Sequence, residues 1–279
     1  MKNILLCSDL DRTILPNGDS AESSNARACL KKLVSRPEVT LAYVSGRDKS
    51  LLEAAISEYD IPVPDFAIGD VGTSIYQISD NHWHVMEQWS KEISPDWNGR
   101  SRSDIGNHLN KLSDLKLQEP EKQNDYKLSY YIDLNNDVEQ LLRDVKSELV
   151  SMGVNANAIF SIDDLTHVGL LDILPASADK YHAITFLMKL QGFSQENTVF
   201  AGDSGNDIAV LASDLKSVLV NNARKDVREK AIALSEQAGH ADTLYLAHGA
   251  WLDMNGNYSA GVVEGVIHYF PDYLGVLST

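Results

Sequence analysis

The sequence predicts an α/β protein: a Rossmann-like parallel-sheet core interrupted by an inserted α+β unit. Three observations carry this. Short, continuously apolar runs at 3–8 (NILLCS) and 39–44 (VTLAYV) read as strands buried on both faces, the signature of a parallel sheet. Segments with helical spacing alternate with them, which implies right-handed crossovers. The rhythm breaks near Trp89 and resumes near Lys180. A length of 279 residues, 43% hydrophobic and 23% charged, is ordinary for a globular chain and excludes disorder, collagen-like repeats and long coiled coils.

In chain order, residues 3–8 form the first strand. Residues 21–34 then place Ala28, Leu30, Leu33 and Val34 at helical spacing. Strand 39–44 and helix 49–59 follow, then two short strands at 66–68 and 74–78 around a turn bearing Gly69 and Gly72. From 89 to 123 the texture turns polar. Strand 127–133, helix 138–152 and strands 159–162 and 169–174 follow. Helix 180–190, strand 198–202, helix 206–212 and strand 218–220 restore the first pattern. Residues 1–88 and 174–279 are assigned to the core and 89–173 to the insertion.

The sharpest chemical signal is Asp9-Leu10-Asp11-Arg12-Thr13, directly after a buried strand. Parallel strands deliver their carboxyl ends to a common crevice, where ligands bind in open α/β sheets. Ala201-Gly202-Asp203-Ser204-Gly205-Asn206-Asp207 repeats the situation, with Asp207 in a first helical turn, where the dipole favours an anion. If both loops end at one crevice, up to four carboxylates (Asp9, Asp11, Asp203, Asp207) converge, and such a cluster stays ionised only around a cation. Oxygen ligands without a cage of carbonyls suit Mg²⁺. One Asp-x-Asp alone would read as a turn or cap; two such loops at strand ends outweigh that reading. Ser45-Gly46-Arg47 follows strand 39–44 and offers neutral donors for anionic oxygens. Lys180, opening a helix, can neutralise both a phosphate and an acid. Asn206 in the second loop and Asn221-Asn222 after strand 218–220 are expected to border the same crevice.

Twenty-four Lys and Arg against 40 Asp and Glu leave a net charge of −16. That argues against nucleic-acid and membrane-surface partners, because a polyanion is repelled before contact. A small phosphorylated ligand with local screening remains compatible. Two cysteines, Cys7 and Cys29, do not make a disulfide scaffold, and no apolar run approaches a membrane span or a signal-peptide core, so a cytoplasmic location is expected.

Taken together and in this order, the four motifs resemble those of the haloacid dehalogenase superfamily, with a type IIB α/β cap as the insertion. The stretches LLCSDLDRT (5–13), AYVSGR (42–47), GDVGTSIY (69–76), KLSYYID (127–133), LDILP (171–175), FAGDSGND (200–207) and GVVEGVIHYF (261–270) resemble the sucrose-phosphate phosphatase family. That resemblance implies a Mg²⁺-dependent phosphatase acting on a small sugar phosphate, with sucrose 6-phosphate as the leading substrate and a glycosyltransferase of the same pathway as a partner. It implies Asp9 as the nucleophile that carries the phosphoryl group and Asp11 as general acid and base. Asp9, the Asp11 carbonyl and Asp203 would hold the metal, with Asp207 as ligand or support. Ser45, Gly46, Arg47 and Lys180 would grip the phosphoryl oxygens. Lys127 and Asp172 fall on the family's sugar-contacting side; the alternatives are an edge-strand charge for Lys127 and a hinge hydrogen bond for Asp172. Another phosphorylated glycoside, or a phosphomutase reaction on the same paired aspartates, are rival readings. Tyr181 stands where the family usually has a small residue, His167 and His182 are read as structural, and 239–259 is longer than the family pattern and has no assigned role.

Overall fold

The computed structural model describes residues 1–163 and 167–277. Its strands in chain order are β1 (Ile4–Ser8), β2 (Val39–Val44), β3 (Phe66–Gly69), β4 (Ser74–Ser79), β5 (His82–Val85), β6 (Lys116–Leu117), β7 (Leu128–Ile132), β8 (Ala156–Asp163), β9 (Val168–Pro175), β10 (Thr198–Gly202), β11 (Lys216–Leu219) and β12 (Leu244–Leu246). They make an eight-stranded sheet, β12-β11-β10-β1-β2-β3-β4-β5, and a four-stranded sheet, β6-β7-β9-β8. The chain divides into two compact units: Met1–Gly69 with Ile75–Val85 and Lys180–Thr279, and Asp70–Ser74 with Met86–Asp179.

In the first unit, β12 through β3 pair in parallel, and the antiparallel hairpin β4–β5 closes one edge. Ile4, Leu5, Leu6 and Cys7 are fully buried, so β1 is covered on both faces, as its unbroken apolar run requires. From β1 the chain builds outward through β2 and β3, then returns to lay β10 on the other side of β1. Strand order therefore reverses at β1, the switch point whose carboxyl end leaves a crevice. Register brings the three loops level: Ser8 pairs with Ala201 on one side and Tyr43 on the other. Helix Lys180–Leu190 buries Ala183, Ile184, Leu187 and Met188. Helix Ser259–Tyr269 lies flush on β11: a Cβ at Gly265 would come 2.1 Å from a Val218 methyl, and one at Gly261 would come 2.3 Å from the Gly256 carbonyl oxygen.

The second unit is an antiparallel sheet with a core on one face, where Leu128, Tyr130, Ile132, Leu171 and Ile173 meet Leu141, Val145 and Leu149 of helix Val138–Ser151. The fold is the expected α/β class with a parallel-dominated sheet and an inserted α+β cap. The texture of 89–123 misled in detail. Trp89 and Trp97 are fully buried, and short helices Glu87–Ile93 and Arg102–Leu109 occupy that stretch. Helix Lys225–Ala238, β5 and β12 also lacked a clear apolar period. The helix expected at 206–212 begins with a 3₁₀ turn, Gly205–Asp207, before Ile208–Leu211.

Candidate active site

At the carboxyl end of β1, the Asp9 N–H still donates to the Ala201 carbonyl at 2.9 Å, extending the ladder one residue. Asp9 thus emerges beside the loop that leaves β10. Asp9, Asp203 and Asp207 bring carboxylate oxygens within 4.8 Å of one another, all buried. Asp207 is anchored by its own loop: one oxygen accepts from the Asp203 and Ser204 N–H groups at 3.1 and 3.0 Å and from the Ser204 hydroxyl at 3.0 Å. Gly202 has no room for a side chain there, since a Cβ would lie 2.7 Å from that carboxyl.

Lys180 completes the cluster. Its ammonium donates to Asp9 at 2.8 Å and to Asp207 at 2.7 Å. One cation among three acids leaves a local charge near −2 if all ionise, and each like pair at such spacing repels by about 3 kcal/mol at an effective dielectric of 20. Burial, against the pull of Lys180 and with the push of Asp207 and Asp203, raises the Asp9 carboxyl to about 7. Burial and Asp207 raise Asp203 to about 6. Lys180 goes up too, because its two carboxylates outweigh the burial that opposes its charge. Three hard oxygen donors with residual negative charge fit a divalent ion of the Mg²⁺ kind, and the group contains no nitrogen or sulfur ligand that would favour zinc.

Asp11 departs from the expectation. Its carboxylate does not join the cluster; Arg47 grips it with Nε at 2.8 Å and Nη2 at 2.6 Å, and Asn17 donates at 2.7 Å. A metal role for Asp11 therefore does not extend to its side chain in this geometry, and the expected four carboxylates become three. Burial works against ionisation, but the Arg47 fork and Asn17 outweigh it and hold Asp11 below its ordinary value. Arg47 is correspondingly committed to Asp11, with its own value raised by that hydrogen bond. The physical cause is local. β1 ends at Ser8, so Asp9 and Asp11 are not held on one face of a continued strand; Arg47 and Asn17 fix Asp11, and Arg12, left-handed at φ 59°, turns the chain just after it.

A cavity of about 370 Å³ opens at these loops, lined by Asp9, Asp11, Arg12, Ser45, Gly46, Arg47, Asp203 and Asn206 among others. Ser45, Gly46, Arg47 and Asn206 thus stand at one opening with the acids, as their positions after β2 and β10 imply. Two further residues of the Asp9–Thr13 loop reach Asp203. The Arg12 guanidinium lies 3.5 Å from Asp203, and the Thr13 hydroxyl donates to Asp203 at 3.3 Å. Asn222 turns its amide to the Arg12 carbonyl at 2.6 Å. In the second unit, Lys127 lies immediately before β7 and is buried, unlike a solvated edge-strand charge. Asp172 on β9 accepts from Ser129 on β7 at 2.5 Å.

The model for sucrose-6F-phosphate phosphohydrolases matches residues 2–270. The chain is 54% identical over 271 residues to a HAD-like hydrolase of Nitrosococcus oceani, covering 97% of this chain and 73% of that protein. It is 26% identical to the mannosylfructose-phosphate phosphatase of Agrobacterium fabrum, over 95% of this chain and 96% of that one. The crystal structure of the sucrose-phosphatase from Synechocystis sp. PCC6803 with sucrose and phosphate superposes with a TM-score of 0.69 at 24% identity, covering 96% and 98% of the two chains, a likeness of fold. A family match across nearly the whole length, on the fold that the sheet order describes, leads to one conclusion: the chain belongs to the sucrose-6F-phosphate phosphohydrolase family, and it is an enzyme acting on phosphate monoesters.

Proposed function

We propose that the protein hydrolyses a sugar phosphate, sucrose 6-phosphate first among candidates, through a phosphoryl group carried on Asp9. The observation that carries this reading is the buried triad Asp9, Asp203 and Asp207 with Lys180 bridging its first and last members. An oxygen of Asp9 attacks phosphorus in line as the phosphorus–sugar oxygen bond breaks, and Asp11 gives the leaving oxygen its proton. Water then attacks the same phosphorus, Asp11 takes the water proton, and the bond to Asp9 breaks to release inorganic phosphate. Splitting one displacement into two suits phosphoryl transfer, where positioning and charge neutralisation do most of the catalysis.

Asp9, the Asp11 carbonyl and Asp203, supported by Asp207, would hold Mg²⁺. That ion, when bound, would supply positive charge to the phosphoryl oxygens. Ser45, the Gly46 N–H and Lys180 would orient those oxygens, with Asn206 at the rim. Arg47 keeps Asp11 ionised, the form needed to accept a proton from water. An arriving phosphoryl dianion would draw the Arg47 guanidinium toward itself, so that Asp11 takes up a proton from solvent and gives it to the leaving oxygen in the first step. The inserted unit, 89–173, would select the sugar through Lys127 and Asp172.

A second substrate reading rests on the 26% identity to a mannosylfructose-phosphate phosphatase across both full lengths: the sugar would be a different phosphorylated disaccharide. Phosphate release from a panel containing sucrose 6-phosphate, mannosylfructose phosphate and trehalose 6-phosphate, with and without Mg²⁺, decides. The expected outcome is fastest turnover of sucrose 6-phosphate, loss of it in EDTA, and no need for a bisphosphate activator. Faster release from another disaccharide reassigns the substrate, and an absolute bisphosphate requirement would mean a mutase.

A further inference from the structure

The segment 239–259 has no role in the chemistry above, yet it is tied to the loop that carries Asp11. We propose that Asn222 is a positioning residue that holds Arg12 in its left-handed turn, with Tyr258 of that segment as its backing. The inference rests on the phosphatase reading of the Asp9–Thr13 loop.

Arg12 is a non-glycine residue at φ 59°, a conformation that L side chains adopt only when their surroundings enforce it. Its two peptide groups are both held. The Arg12 N–H donates to the Asn17 side-chain oxygen at 2.8 Å, and the Arg12 carbonyl accepts from the Asn222 amide at 2.6 Å. The other end of the Asn222 amide accepts from the Tyr258 N–H at 2.8 Å. Tyr258 is itself left-handed at φ 50° and fully buried, and its hydroxyl accepts from the Ser20 N–H at 3.2 Å. One amide side chain therefore spans two strained backbone positions, giving a donor to one and an acceptor to the other.

Among ordinary side chains of this length, only asparagine supplies both ends. Aspartate would turn an anionic oxygen toward the Arg12 carbonyl, and alanine would reach neither. The strap is broad: Asn255 and Asn257 donate to the Ala21 carbonyl at 2.8 and 2.9 Å, and the Asn255 N–H donates to Ser23 at 2.9 Å. Its far side is pinned by buried Glu264, which accepts from the His248 and Gly249 N–H groups, each at 2.9 Å. The consequence reaches the site because the Arg12 turn lies between Asp11, gripped by Arg47, and Thr13, which donates to Asp203, and sets how those two are oriented to one another.

The test compares wild type, Asn222→Ala and Asn222→Asp by steady-state kinetics on p-nitrophenyl phosphate with Mg²⁺, thermal melting, and hydrogen exchange over residues 10–23. Both variants are expected to lose roughly 10- to 100-fold in kcat, with KM changed less than about threefold, since misplacement of reacting groups falls on the chemical step. Both should melt cooperatively, with exchange faster in 10–23 and unchanged in β2 and β3. A kcat within about twofold of wild type overturns the proposal. So does a loss that matches only the unfolded fraction, with exchange raised uniformly. If the alanine variant does not fold, the aspartate variant, which keeps the acceptor for Tyr258, carries the same readouts. If wild type hydrolyses no phosphomonoester, the phosphatase reading fails, while exchange in 10–23 still decides the role of Asn222.

Discussion

Two loops leave neighbouring strands of one sheet, each with a pair of aspartates, and they handle those charges in opposite ways. After β10, Asp203 and Asp207 both turn into the buried cluster, joined through hydrogen bonds inside their own loop. After β1, Asp9 goes inward but Asp11 is turned out to Arg47. The spacing of acids does not set this. A helix start lets Asp207, at the third position of a capping box, reach back to the Asp203 and Ser204 N–H groups, whereas the fork of Arg47 draws Asp11 away from Asp9. Among the inner acids, Asp9 and Asp203 are held toward neutrality by burial and like charge; the outer acid has an arginine to itself, which favours its ionised form.

The largest effect that tests this contrast is at the inner position. Asp9→Asn removes the attacking oxygen while keeping its shape, and turnover is expected to fall on the order of 10⁴-fold or more with an unchanged circular dichroism spectrum. Retained activity would move the nucleophile elsewhere. Next is Lys180→Met, which leaves Asp9 and Asp207 facing each other without their cation. Removing one partner of a buried pair costs about 3–5 kcal/mol, read as a lower urea midpoint, and millimolar Mg²⁺ should restore part of it. No shift in the midpoint would mean that the Lys180 bridge does not stabilise the fold.

The smallest effect is in the pH dependence of stability without added metal. Asp9 and Asp203 have folded values above the ordinary 3.8, about 7 and 6. Their contribution to stability is therefore full below about 4 and is lost as pH rises through 6 to 7. Asp11 has a folded value below 3.8, so its contribution is present above that value and disappears as pH falls past it. Thermal midpoints should decline from pH 5.5 to pH 8, Mg²⁺ should raise them more at pH 8 than at pH 5.5, and Arg47→Ala should flatten only the acid limb. A Mg²⁺ gain larger at pH 5.5 would reverse the assignment of inner and outer acids.

The strands under these loops were readable because burial on both faces leaves an unbroken apolar run. Two such runs, 3–8 and 198–202, mark where Asp9 and Asp203 emerge. Lys180 was legible as the first residue of a helix with a clear apolar stripe. The direction of the Asp11 side chain was not, since it follows from a side-chain contact to Arg47, 36 residues away, and one to Asn17. The role of Asn222 depends on partners 210 and 36 residues distant, which no local pattern encodes. Helix Arg102–Leu109 escaped because its capping box, Ser101 with Asp104, sits in a polar stretch with only Ile105 and Leu109 buried.

The bare contact of Gly265 and Gly261 with their neighbours has an evolutionary corollary. There is no room there for a further methyl, so the smallest possible enlargement must push Val218 of β11 at Gly265, and the Gly256 carbonyl and Val220 at Gly261. β11 leads into the turn that carries Asn222 and is laddered to β10, whose end leads into Asp203. A lineage drifting at either glycine would lose turnover without altering a single group that meets the substrate, and a comparison of diverged copies would rank these two backbone positions among the most intolerant in the chain.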